Sequence, residues 1–287
     1  MKILVTGAAG QLGTTVVQHL LKNTTADQIA VLVRDANKVA DLKEKGVAVH
    51  VGDYDDVASL ENAMQGIEKV LLIAGTDEQK RVQQHTNVVN AAKKAGVKLI
   101  AYTSRCLKNR DTLVNKLMIG HFQTEDCIME SGLTYMLFRN ILYMDTIPNF
   151  VGDKVFETGI NLPVGDGKVS FCLRKDMGEA MANALLKDIE DSKIYNLTGN
   201  TLYSFYDVAT ALTELSGKDI HYTQIEKSTF EDNLKAKGLP DFVIQRIVGF
   251  MADVANGQED AVTTDLEQLL GRKPATLKEG LKIIYNL

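Results

Sequence analysis

Short apolar runs alternate with amphipathic stretches through the first half of this chain. Residues 2–6 form an apolar run that passes through Gly7-Ala8-Ala9-Gly10-Gln11-Leu12-Gly13 into a helical pattern over 14–22. A second apolar run covers 29–33 and ends at Arg34-Asp35; residues 36–45 then place Val39 and Leu42 on one helical face, with Gly46 as a C-cap. Residues 47–51 are strand-like and lead to Gly52-Asp53-Tyr54, after which 57–65 are helical and Gly66 stops them. Residues 69–74 form a fourth strand closed by Gly75, and Val82, Val88, Val89 and Ala92 mark a helix that stops at Gly96. A fifth strand over 99–102 runs into Thr103-Ser104, a helix covers 116–130, and a sixth strand over 133–138 leads to Arg139-Asn140. Strands so nearly continuous in apolar residues are covered on both faces. With helices between them, they predict an α/β fold: a Rossmann-type, doubly wound parallel sheet with right-handed crossovers.

Beyond Met144 the texture changes. Residues 160–168, with Pro163, Gly165 and Gly167, read as loops and short strands; 174–187 as a helix; 194–197 as one more strand of the sheet; and 205–215, 230–237 and 264–270 as helices. The expected division is a dinucleotide-binding domain of 1–144 plus 170–198 and a smaller α/β lobe of 145–169 plus 199–287 on the substrate side.

The first glycine-rich turn carries the most chemistry. Gly7 lets the chain leave the strand with dihedrals that other residues resist. Gly10 has no side chain to hold a ligand away, and Gly13 lets the helix press on the strand. The N–H groups of Gln11 and Leu12 then face whatever lies over the turn, and unpaired donors add to the helix dipole there. A pyrophosphate is the expected occupant. Three glycines within seven residues also occur in ordinary loops, but here they follow a strand and open a helix.

A dinucleotide would make further demands. At the end of the second strand an acid would favour NAD; this chain has Arg34, whose planar fork suits the 2′-phosphate of NADP, with Asp35 directly after. Arg34 could otherwise be a solvated surface charge. Asp53, with Tyr54 beside it, could receive the adenine amino group or simply form an Asx-turn or helix cap. Ala74-Gly75 supply small residues where backbone would approach the cofactor.

The balance of 45% apolar residues and net charge −5 over 287 residues suits one large domain, or a domain and a half. There is no dense basic stripe for nucleic acid. Nor is there an apolar run of membrane-spanning length, since 70–74 lasts five residues. The apolar part of the N-terminus stops at Thr6-Gly7, too short for a secretory leader. Cys106, Cys127 and Cys172 are far apart without C-x-x-C, so buried free thiols in a reducing cytoplasm are expected. His19, His50, His85 and His221 lack ligand spacing, and no metal site is expected.

Thr6-Gly7-Ala8-Ala9-Gly10-Gln11-Leu12-Gly13 resembles the fingerprint of atypical short-chain dehydrogenases/reductases of the NmrA-like group. Val33-Arg34, Gly52-Asp53-Tyr54, the stretch 91–98, Tyr102-Thr103-Ser104, Leu137-Phe138-Arg139-Asn140 and Leu269-Leu270-Gly271-Arg272-Lys273-Pro274 fall where that group has similar segments. Within it the chain resembles the branch of bacterial NADPH-dependent quinone reductases and triphenylmethane reductases. The resemblance implies the glycine turn for pyrophosphate, Arg34 for the 2′-phosphate, and Ala74-Gly75 and Thr103-Ser104 near the ribose and nicotinamide. It puts Phe138, Asn140 and Tyr143 at the nicotinamide and substrate end, and Arg174 at the cofactor pocket. NADPH is the implied cofactor, with NADH allowed. A quinone-like small molecule is the implied substrate, and a homodimer is allowed.

One departure constrains the reaction. Ordinary short-chain dehydrogenases carry Tyr and Lys four residues apart after the fifth strand, and this chain has no Tyr-x-x-x-Lys anywhere. Its corresponding helix has His121 and Glu125, on one face at that spacing. Glu125 could orient His121 as a proton donor, or the two could be a helix-surface pair without a role. Reduction of a simple ketone makes a strongly basic alkoxide and needs a placed acid. Hydride addition to a quinone makes a weakly basic hydroquinone anion that can take its proton from water or from a modest donor. The expected enzyme is therefore an NADPH-dependent quinone reductase with His121, Asn140 and Tyr143 nearest the chemistry. The rival expectation is an NADP(H)-sensing regulator without turnover.

Overall fold

The computed structural model describes residues 2–188 and 190–287, and they group into two compact units. In chain order the elements are β1 (Ile3–Thr6), α1 (Gln11–Asn23), β2 (Ile29–Val33), α2 (Ala40–Glu44), β3 (Ala48–Val51), α3 (Val57–Ala63), β4 (Lys69–Leu72), α4 (Arg81–Lys94), β5 (Leu99–Arg105), α5 (Ile119–Glu130) and β6 (Thr134–Asn140). They continue with α6 (Ile147–Val151), α7 (Val155–Thr158), β7 (Ile160–Leu162), β8 (Lys168–Val169), α8 (Arg174–Leu185), β9 (Lys193–Leu197), β10 (Tyr203–Ser204) and α9 (Phe205–Ser216). β11 (Tyr222–Gln224), α10 (Lys227–Ala236), α11 (Asp241–Ala255), α12 (Asp265–Leu270) and α13 (Leu277–Tyr285) complete the chain.

The first unit comprises residues 1–105, 120–139 and 174–195. Its seven-stranded sheet has the order β3-β2-β1-β4-β5-β6-β9, with parallel pairing from β3 through β5. The direction of winding reverses between β1 and β4, and ligands of such sheets bind beyond the strand ends at that switch. β1, β2, β4 and β5 are buried along their whole length, as strands covered on both faces must be. Successive side chains point to opposite faces. Leu4, Leu32, Leu72, Ile100 and Tyr102 enter one cluster with Leu60 of α3, Val88 and Val89 of α4 and Ile128 of α5. α1 packs on β1 and β2 and closely against α8. There a Cβ on Gly178 would lie 2.7 Å from Thr15 Cγ2, so only glycine permits the approach.

The second unit comprises 106–119, 140–173 and 196–287. The segment 106–119 thus groups with the later chain, whereas the strand–helix pattern places it in the first domain. β7 pairs parallel with β11, and β8 pairs antiparallel with β10. α9 and α13 each begin with a complete capping box, Ser204/Asp207 and Thr276/Glu279. Four helices, α6, α7, α11 and α13, lie outside the expected elements. The end of α11 and the stretch after it tie this unit together. Asp253 accepts hydrogen bonds from the N–H groups of Val114 (2.7 Å) and Asn115 (3.2 Å). Glu259 accepts from Leu142 N–H (3.1 Å), and Asp265 from Asn196 N–H (2.7 Å). Asp253 and Glu259 are buried and satisfy the amides of the buried Asn115 and Leu142.

Candidate functional site

The turn between β1 and α1 is built by its glycines. Gly7 adopts φ +61°, and its carbonyl accepts from Gly10 N–H at 3.0 Å. A Cβ on Gly13 would lie 2.4 Å from the Gly7 carbonyl oxygen and 2.7 Å from Ala8 Cα, so no side chain fits. Thr14 braces the turn through its N–H to Gly10 C=O (2.9 Å) and its hydroxyl to Ala8 C=O (3.1 Å). Gly10 occupies the N-cap of the 13-residue α1, which has no side-chain cap and no acid in its first turn. The partial positive charge of the helix start is thus left to an external anion, and the turn has the form that a linked diphosphate requires. Arg174, the first residue of α8, is half-buried.

Arg34 follows β2 and is exposed. The carboxylate of its neighbour Asp35 accepts from Asn37 N–H at 3.0 Å and caps the next turn. Asp53 behaves likewise: its carboxylate accepts from Asp55 N–H at 2.9 Å, the Asx-turn of the two uses its position allowed. Tyr54 is a clamp. Its hydroxyl lies within hydrogen-bond distance of Thr6 Oγ1 and 2.9 Å from Ile73 C=O, joining the ends of β1 and β4. Burial pushes its ionisation well above the usual tyrosine range, so the hydroxyl keeps its proton.

The exit of β4 is held at every peptide N–H from Ile73 to Gly75. Ile73 N–H donates to Thr6 Oγ1 (3.1 Å), Ala74 N–H to Thr103 Oγ1 (2.9 Å) and Gly75 N–H to His85 Nε2 (2.9 Å). Gly75 C=O accepts from Arg81 Nε at 3.1 Å. Ala74 and Gly75, expected near a cofactor, therefore offer small surfaces and not free amides. Thr103 does this work together with Thr6, Arg81 and His85, and nothing in the spacing of the last three announced it. Only the fold brings one strand residue and two helix residues to the same loop.

On α5 the expected partnership fails. Glu125 does not orient His121; both its oxygens are taken by Arg139, at 3.0 Å to Nε and 2.6 Å to Nη2. His121 is buried and its Nδ1 lies 2.9 Å from the Tyr102 hydroxyl. Burial first, then the Arg81 and Arg105 charges, hold His121 well below the usual imidazole range, so the ring is neutral at pH 7 and is no reservoir for an imidazolium proton. The physical reason is that α5 turns this face into the sheet, where charge is penalised. Phe138 is fully buried and stacked on Tyr195 of β9 (5.6 Å, 16°).

Two polar atoms stand out. Ser104 Oγ at the end of β5 is buried with no hydrogen-bond partner. In the second unit Asn140 Nδ2 donates to the Tyr143 hydroxyl (3.0 Å), while Asn140 Oδ1 is buried and unpartnered. A bare buried polar atom costs about 1–3 kcal/mol, which a ligand hydrogen bond would relieve. No cluster of three metal-ligating side chains occurs among the described residues. Cys106, Cys127 and Cys172 are free thiols. No helix among the described residues is long and apolar enough to cross a membrane.

Comparison with known proteins places this arrangement. The profile of the NmrA-like family matches residues 1–283. Quinone oxidoreductase 2 of Escherichia coli (strain K12) is 35% identical over 288 residues, covering 99% of both chains. Its solved structure, an NADPH-dependent quinone oxidoreductase complexed with NADPH, superposes with a TM-score of 0.91 at 35% identity, covering 99% of this chain and 100% of that one. The triphenylmethane reductase of Citrobacter sp. superposes with a TM-score of 0.92 at 33% identity over the whole of both chains.

Proposed function

The chain belongs to the NmrA-like family, and from that premise we propose that it is an NADPH-dependent oxidoreductase that reduces quinones or similar conjugated acceptors. The observation that carries this is the glycine-built turn that leaves the start of α1 without a cap and without room for side chains. It suits the diphosphate of a dinucleotide, and a relative that matches end to end, quinone oxidoreductase 2 of Escherichia coli, is an NADPH-dependent reductase solved with NADPH. The rival expectation, a sensor without turnover, is not favoured by that likeness.

When bound, NADPH supplies the hydride. The chain supplies binding and alignment. The N–H groups of Gln11, Leu12 and Gly13 would take the pyrophosphate, and Arg34 the 2′-phosphate. The β4 exit, with Ala74 and Gly75, would border the ribose. Ser104 would satisfy its bare hydroxyl on the cofactor. Asn140, Tyr143 and Arg174 are the further residues that the family resemblance proposes for cofactor or acceptor. A quinone that gains a hydride becomes a hydroquinone anion and needs one further proton. With no Tyr-x-x-x-Lys pair and a buried neutral His121, that proton comes from water. The proposed setting is the cytoplasm, which three free thiols suit, with a homodimer as the assembly to check by sedimentation.

The purified chain should consume NADPH when a benzoquinone or naphthoquinone is added, followed by loss of nicotinamide absorbance. Bound NADPH with no turnover across a quinone panel would overturn the assignment.

A further inference from the structure

His85 lies on α4, outside any motif, and is fully buried. Its Nε2 faces Gly75 N–H at 2.9 Å and must therefore be the unprotonated, accepting nitrogen. Its Nδ1 then carries the proton and donates to Thr124 Oγ1 at 2.9 Å, while the Thr124 hydroxyl donates to Gly120 C=O at 2.8 Å. Every donor in this chain, from Gly75 through His85 and Thr124 to Gly120, points the same way. Arg81, four residues before His85 and so on the same helix face, holds the other polar group of Gly75. The two side chains fix both sides of one glycine in a loop that flanks the switch point of the sheet.

We propose that His85 is a positioning residue for the nicotinamide coenzyme: as a neutral ring in one tautomer it locks the Gly75 peptide, and so the β4 exit, in the shape that receives the cofactor. The inference rests on the NADPH reading and deepens it. The groups facing the ring are Arg81, Tyr102 edge-on at 5.2 Å, Tyr54 at 6.2 Å and His121. None is an acid that would favour the charged ring, and burial followed by the Arg81 charge lowers its pKa to about 3. A protonated Nε2 would present a second donor to Gly75 N–H and release the loop.

The test compares His85→Phe, which keeps a ring but has no acceptor, with His85→Gln, whose amide oxygen can take the place of Nε2. NADPH affinity is read by fluorescence titration and KM against kcat by steady-state assay. His85→Phe should weaken NADPH roughly tenfold and raise its KM with kcat within about twofold, as lost uniform binding predicts; His85→Gln should recover most of it. Equal affinity in wild type and His85→Phe, or no recovery in His85→Gln, would overturn the proposal. Failure of the wild type itself to bind NADPH would instead sink the cofactor reading. If His85→Phe does not fold, long-range 1H–15N spectra of the wild-type protein decide. A ring protonated on Nδ1 that does not titrate from pH 8 to 5 supports the proposal, and protonation on Nε2 overturns it.

Discussion

Arg34 is the residue whose role can be isolated most cleanly. It is exposed at the end of β2, and the Asp35 carboxylate beside it accepts from Asn37 N–H. Arg34→Ala should weaken NADPH roughly tenfold or more, the scale of a charge-assisted hydrogen bond, and leave NADH within about twofold; equal losses in parallel titrations would refute the 2′-phosphate role. Arg139 is a different case, because it neutralises a Glu125 that is only 2% exposed. Arg139→Met should cost about 3 kcal/mol in urea unfolding by stranding that carboxylate, and adding Glu125→Gln should restore part of it. The buried histidines set a pH dependence. His85 and His121 bind protons less readily folded than unfolded, so the unfolded state takes up more protons as pH falls. Their stability contribution is complete above the unfolded value near 6.5 and is lost below it, toward about 3 for His85. Stability should fall between pH 6.5 and 5 with a slope approaching about 1.4 kcal/mol per unit for each ring, and His85→Gln should flatten it. At this scale the sequence was informative where a residue type has a single conformational use, as at Gly7 and Gly13. It was ambiguous where the same side chain serves a ligand or its own backbone, as at Asp53, and silent on the partners of Glu125 and Phe138. Their partners, Arg139 and Tyr195, are set by strand neighbours that no helical or linear spacing reveals.

Among the elements, the strand–turn–helix at the N-terminus was legible because local chemistry determines it. The first six strands were legible because burial on both faces leaves long apolar runs. The α11 helix was not, although Ile244, Val248 and Met251 follow helical spacing and are buried. A pattern organised around a sheet gives no role to a helix that answers to loops. The closeness of α1 and α8 is another property invisible in either helix alone. Gly178→Ala should push against Thr15 and cost about 1–3 kcal/mol by overpacking. An unchanged urea midpoint would mean that the two helices can shift apart freely.

For the whole molecule, each compact unit is assembled from three separate stretches of chain, so the covalent order does not follow the units. The second unit depends on its last stretch, since Asp253, Glu259 and Asp265 satisfy amides at Val114, Asn115, Leu142 and Asn196. A chain ended at Tyr195 should therefore leave the rest of the second unit unfolded, and circular dichroism during heating should show a smaller unfolding transition than the full chain gives. Composition and charge identified the class of molecule but could not reveal this interleaving, which is a property of connectivity. The phosphate turn and the Arg34 position carry the remaining lesson. The turn tolerates no added atom at Gly13, whereas Arg34 projects from the fold and contributes little to its packing. Retuning which pyridine nucleotide this scaffold prefers should accordingly be a surface operation, open to selection or engineering without touching the framework that grips the diphosphate.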